Sequence, residues 1–212
     1  QLTLAAQPNS ETAYNWFFDT EKYGARFDAS TAIGSSTGSN GLMHHNVGFN
    51  VNAAIMQKGD DHQCINNTAF NNSNNGIIIL SDDVSTNSGT VVRNNVAERM
   101  GSHRKNNVPL TEVMDHSHNW NGYEYGSADI STVLRDPDNL DFRPKPDSIL
   151  IDNGKSEEPI TSGYIGKAPD MGAYEFGAKD YWIPGRKDAV ASKPIPPEGA
   201  QNVKSAAALI WR

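Results

Sequence analysis

Short runs of apolar and β-branched residues, broken at regular intervals by Asn, Gly, Ser and Asp, dominate the first hundred positions. Three runs superimpose: Met43-His44-His45-Asn46-Val47-Gly48-Phe49-Asn50, Cys64-Ile65-Asn66-Asn67-Thr68-Ala69-Phe70-Asn71 and Val92-Arg93-Asn94-Asn95-Val96-Ala97-Glu98. Their shared asparagines, Asn46, Asn67 and Asn95, are 21 and 28 residues apart. A second series accompanies them: Gly24-Ala25-Arg26-Phe27-Asp28, Ala54-Ile55-Met56-Gln57-Lys58-Gly59 and Gly76-Ile77-Ile78-Ile79-Leu80. The runs lack helical spacing and carry the punctuation of strands and turns. A period in the twenties with more than one strand per period predicts a β-solenoid.

In such a stack each coil buries its inward side chains only against the coils above and below, so equivalent turn residues lie over one another. Asn suits that position, because it tolerates a left-handed bend and its amide can bond to the same amide one coil away. The 22 asparagines, 17 of them from Asn40 to Asn121, are therefore read as ladder and turn residues rather than as a mark of disorder. A β-sandwich with Asn-rich loops is the competing architecture, but its loops need no fixed register.

Past Met100 the repeat fades. Residues 127–134 predict one short helix, with Ser127 as its cap and the turn Arg135-Asp136-Pro137-Asp138-Asn139 after it. Three segments follow: coils over 1–100, final irregular coils and a cap over 101–187, and over 188–212 a Pro-rich linker leading to the start of a further β-domain. Residues 1–10 have neither the basic nor the apolar region of a signal peptide, and the first coil is expected near Trp16. The chain is accordingly read as the C-terminal part of a longer solenoid, covalently joined to further domains.

A net charge of −7 with no basic run makes nucleic acid an unexpected partner, and no apolar stretch approaches the length of a membrane span. The single cysteine, Cys64, excludes an internal disulfide and reads as a buried thiol.

From Tyr14 to Arg186 the sequence resembles the bacterial right-handed parallel β-helix proteins found among carbohydrate-active enzymes, the pectate-lyase-like superfamily in the broad sense. The resemblance rests on the Asn-Asn coils, on Asp138-Asn139-Leu140-Asp141-Phe142-Arg143-Pro144-Lys145-Pro146-Asp147-Ser148, on Ile151-Asp152-Asn153-Gly154 and on Pro169-Asp170-Met171-Gly172-Ala173-Tyr174-Glu175. It implies an all-β, right-handed parallel β-helix with an irregular C-terminal cap. It further implies a protein that is secreted, periplasmic or on the bacterial cell surface, acting on an acidic or sulfated polysaccharide. Lyases, hydrolases and non-catalytic glycan binders share this scaffold, so the reaction is left open.

The densest ionisable cluster supplies the candidate chemistry. Alternation puts Arg26 and Asp28 on one face of a coil and Met56 and Lys58 on the same face of the next, with Asp60, Asp61 and His62 in the following turn. For a lyase, Lys58, His62 or Arg26 would take a proton beside a neutralised uronate, with Asp28, Asp60 or Asp61 holding Ca²⁺. For a hydrolase, Asp28 with Asp60 or Asp61 would be the paired carboxylates. The plainer alternative is a solvated turn. His103, Arg104 and Lys105 form a cationic loop suited to carboxylate or sulfate groups, and Trp120, Tyr123 and Tyr125 could stack on sugar rings. The His116-Ser117-His118 spacing has the form of half a metal site, and the Asp-rich turn 136–141 has alternating oxygen donors but reads as a turn. Of His44 and His45, one is expected to point outward and one inward.

Overall fold

Many bends among the described residues are made by a residue in the left-handed region, and these residues stack in columns. Tyr14, His45, Asn66, Asn94 and His118 share φ values of 49–56°. A second column holds Asp19, Asn50 and Asn71, and a third holds Asn9, Asn40, Asp61 and Gly89. Asn, Asp and Gly enter this conformation at little cost, which accounts for the asparagine content. The computed structural model describes residues 2–5, 8–28, 38–80, 87–104, 108–110, 115–126, 129–184, 194–195 and 210–211.

Between the bends lie short strands. The first coil contains β2 (Glu11–Ala13) and β3 (Trp16–Asp28), preceded by β1 (Leu2–Ala5), which pairs with the end of β3. The second coil has β4 (Leu42–His44) and β5 (Val47–Lys58), and the third β6 (Gln63–Ile65), β7 (Thr68–Phe70) and β8 (Ile77–Leu80). The fourth has β9 (Val91–Arg93), β10 (Val96–Ala97) and β11 (Met100–Gly101); a fifth, which the fading repeat concealed, has β12 (Asp115–Ser117) and β13 (Trp120–Asn121). All of these pair in parallel, in the orders β1-β3-β5-β7-β10-β13 and β12-β9-β6-β4-β2, with β8 bridging β5 and β11. The fold is the parallel β-helix anticipated from the repeat.

Register fixes what points inward. Thr12, Met43, Cys64 and Val92 align across one sheet, and Ala25, Ile55 and Ile77 across the other. The apolar ones among these side chains, with Phe27, Ile79 and Ala69, form the core, and Thr12 is buried in line with them. Burying an Ile or Phe in this way contributes about 1.5–3 kcal/mol. Gly48 is required where the chain turns a corner, because a Cβ there would lie 2.2 Å from that of Ala54. Cys64 is fully buried, and burial pushes its thiol up to about 12, so it is inert packing.

The ladder is longer than the sequence showed. The Asn46 side-chain amide donates to Asn67 Oδ1 (3.0 Å) and that of Asn67 to Asn95 Oδ1 (3.0 Å). Asn15 donates to Asn46 Oδ1 at one end, and Asn95 donates to Asn119 Oδ1 at the other. Every rung also accepts the backbone N–H of the rung before it.

Beyond the coils, residues 130–132 make one 3₁₀ turn capped by Asp129, whose side chain accepts from Ser131 N–H; Ser127, the expected cap, lies outside the described residues. A hairpin of β14 (Leu134–Asp136) and β15 (Asp141–Pro144) follows. The irregular C-terminal cap then takes the form of a strap along the flank of four coils. Phe142 packs on Trp16, Phe49 and Phe70, and Trp16 Nε1–H donates to the Tyr174 hydroxyl. Asn66 donates to the carbonyls of Asp170 and Gly172, and Gly172 N–H donates to the Asn94 carbonyl. Contacts divide the chain into two compact units, Gln1–Lys179 and Asp180–Arg212. In the second, β16 (Pro194–Ile195), expected as part of a linker, pairs antiparallel with β17 (Ile210–Trp211).

Candidate functional site

The outward face of β3, β5 and β8 carries the residues expected to form a groove. Arg26 aligns with Met56 and Ile78, as the alternation required. Arg26 and Asp28 are both partly exposed and form an ion pair, with the guanidinium 5.5 Å from the Tyr23 ring. The face is not an open groove, however: Met56 and Ile78 are wholly buried, and Lys58 is 4% exposed beside Leu80. Lys58 is thus not presented to a polymer running along this face.

His62 requires a correction. It was expected in a solvent-facing turn beside Asp60 and Asp61, and it lies inside the solenoid at 0% exposure. Its Nδ1 accepts the N–H of Gly41 (3.0 Å), its Nε2–H donates to the Lys58 carbonyl (3.1 Å), and its ring stacks on Phe27. The reason is the left-handed Asp61 before it. A left-handed bend turns the next side chain inward, as Asn66 does for Asn67, and His62 plays the part of a ladder rung. Both nitrogens are committed to backbone groups, and burial lowers its pKa, so it stays a neutral structural group.

Asp60 and Asp61 remain at the surface, but they act on the backbone. Asp60 Oδ1 accepts the Ser88 N–H (2.9 Å), and Asp61 makes the bend against Gly89. With Asp28 held by Arg26, the oxygens expected to share Ca²⁺ are divided among separate partners. Among the described residues, no three His, Cys, Asp or Glu side chains are grouped to hold a metal.

A different cleft opens at the last coils. Arg99, Asn75, Asn121, Pro109, Tyr123 and Glu124 line it. Tyr123, expected to contact sugar, is 55% exposed there. Its N–H donates to the Glu98 carbonyl, which fixes the Tyr123-Glu124 turn against the start of the fourth coil's last strand. Glu98 lies beside Arg99, half-buried, with one carboxylate oxygen accepting the Asn71 N–H (2.7 Å). Desolvation raises its pKa, while the Asn71 N–H and Arg99 pull the other way. His103 is linked to the cleft through its carbonyl, which accepts from the Asn75 amide (3.0 Å); Arg104 is exposed next to it, and Lys105 lies outside the described residues. Trp120 is a second correction. At 2% exposure, stacked with Tyr125 and paired with Val96 in the sheet, it is packing and offers no face to a sugar.

Arg99, Glu98 and Glu124 were missed because they follow strands of two residues, too short to read by alternation. The signal was the charged pair Glu98-Arg99, standing where the earlier coils carry Phe70-Asn71 and Phe49-Asn50.

Two further groups of titrating side chains stand out. On the flank, His44 Nε2–H donates to Glu11 Oε1 (2.8 Å) and the Nδ1 atoms of His44 and His45 are 2.9 Å apart. His44 points outward at 6% exposure, and Tyr14 stacks on His45. In the strap, Asp152, Asp170 and Glu175 accept the backbone N–H groups of Lys167, Asp152, Phe176, Asp170 and Ile165. Burial, and then the charge of Asp170, drives Glu175 up to about 7.

No family model matches the chain, and no curated protein matches it. Among solved structures it is similar to the crystal structure of pectate lyase Pel9A, with 19% sequence identity and a TM-score of 0.45, over 76% of this chain and 49% of that one. The chain thus spans about half the length of that protein.

Proposed function

We propose that this protein acts on an acidic or sulfated polysaccharide outside the cytoplasm, where such polymers lie, and that the cleft of Arg99 and Tyr123 is its binding site. One observation carries the reading: Arg99, the exposed ring of Tyr123 and Glu124 line one concave surface at the last coils. A guanidinium pairs with a uronate or sulfate through two parallel N–H donors, and the ring covers a sugar face.

A non-catalytic reading is favoured by a specific observation. Lys58 is buried and both His62 nitrogens are bonded to backbone, so the base a lyase would need beside Asp60 and Asp61 is withheld. Incubation with alginate, pectin, carrageenan and fucoidan separates the readings. New ultraviolet absorbance marks elimination, new reducing ends without it mark hydrolysis, and binding with neither marks a glycan-binding solenoid. Retention on none of the four removes the proposal.

A further inference from the structure

We infer that His44 and His45 form a clamp for a divalent transition ion of the copper(II) or nickel(II) class, with Glu11 as its supporting carboxylate. The pair belongs to the flank of the second coil and plays no part in the cleft above.

Three features build the clamp. His44 ends β4 on the outward side of the sheet, in the row Ala13, His44, Ile65 and Arg93. His45 takes the left-handed bend, φ 49°, which swings its ring back toward that of its neighbour; the rings stand at 87° with their Nδ1 atoms 2.9 Å apart. Glu11, on the coil below, accepts from His44 Nε2–H, so in a neutral ring the Nδ1 lone pair is left facing His45. Tyr14 lies flat against the His45 ring at 5.0 Å and limits its rotation.

A histidine that gives one ring N–H to a carboxylate while its other nitrogen faces a second imidazole has the form of a carboxylate–histidine–metal arrangement. The 2.9 Å between the two Nδ1 atoms is a hydrogen bond in the metal-free pair, and it brings two imidazole nitrogens within reach of one ion. Among divalent first-row ions, affinity for nitrogen ligands rises to Ni²⁺ and Cu²⁺. Imidazole nitrogens do not suit Ca²⁺ or Mg²⁺, which take oxygen ligands. Among the described residues no three His, Cys, Asp or Glu side chains are grouped to hold a metal, so the proposed ion takes two protein nitrogens and water for the rest. Without metal, His45 Nδ1–H donates to His44 Nδ1; binding requires the other tautomer of His45, with its proton on Nε2, so no net proton is released.

The fold supplies its own control. Asn66 and Asn94 occupy the bend position of His45 in the next two coils, so H45N keeps the bend and removes the ligand. The other bend histidine, His118, lies beside His116 on the last coil and is the competing site. Cu²⁺ is titrated calorimetrically into the whole chain at pH 7, with electron paramagnetic resonance counting the nitrogens on the ion. One equivalent with two imidazole nitrogens is expected, weakened at least tenfold in H45N and unchanged in H118N. E11A is expected to weaken it about tenfold with the nitrogen count intact. Equal affinity in H45N, loss in H118N instead, or no binding by the folded parent would each overturn the assignment.

Discussion

Asn67 is bonded on every side. Its amide group donates to the carbonyls of Met43 and Ile65 and to Asn95 Oδ1, and its own oxygen accepts both the backbone and side-chain N–H of Asn46. Removing it leaves several buried polar groups unpaired, each costing about 1–3 kcal/mol. N67A is therefore expected to lose at least about 3 kcal/mol in urea unfolding. N15A, at the partly exposed end of the ladder, should lose about 1 kcal/mol. Equal losses would mean that the ladder is not the source of the stability. Gly59 gives a test of the same kind, because at φ 116° a Cβ would sit 1.7 Å from the Gly38 carbonyl oxygen. G59A should misfold or unfold at a markedly lower temperature.

At the level of elements, the strands and their register were readable because each coil repeats one pattern of inward, outward and bend positions. Asn46, Asn67 and Asn95 stack as their spacing required, and Arg26 and Met56 share a face. What failed was alternation carried through a bend: it put His62 outside, whereas the left-handed Asp61 turns it in. Exposure failed too, since alternation gives the side of a sheet and not what covers it. Lys58 and Trp120 are on outward rows and are nonetheless buried. The strap has no period at all, so nothing in the sequence pattern says that Phe142 and Tyr174 lie on Trp16.

The strap also sets a pH dependence. Glu175 is held at about 7 in the folded chain against an ordinary 4.5, so folding favours its protonated form. The contribution is full below about 4.5 and is lost as pH rises to about 7, so Glu175 pulls the thermal midpoint down over that window, while His45 and His62, whose pKa values burial lowers, pull it up as they lose their charge in the unfolded chain. The midpoint of the parent minus that of E175Q should therefore fall from pH 4.5 to 7, as differential scanning at several pH values would detect. A difference that rises over that window would contradict the sign.

On the scale of the whole molecule, each coil has only its neighbours and the strap to pack against. Phe142 is 1% exposed between the rings of Phe49 and Phe70, and F142A should cost about 3–5 kcal/mol while uncovering apolar surface along several coils at once. A variant that stays as stable as the parent would show that the strap is an accessory rather than part of the core. The proposed cleft lies at the last coils, where Tyr123 and Glu124 turn against the fourth coil. The most direct test is the affinity of a polyuronate or sulfated oligosaccharide for the parent, R99A, Y123A and D61A. R99A and Y123A should each bind at least tenfold more weakly and D61A like the parent, whereas undiminished binding by R99A and Y123A would contradict a polymer site in this cleft.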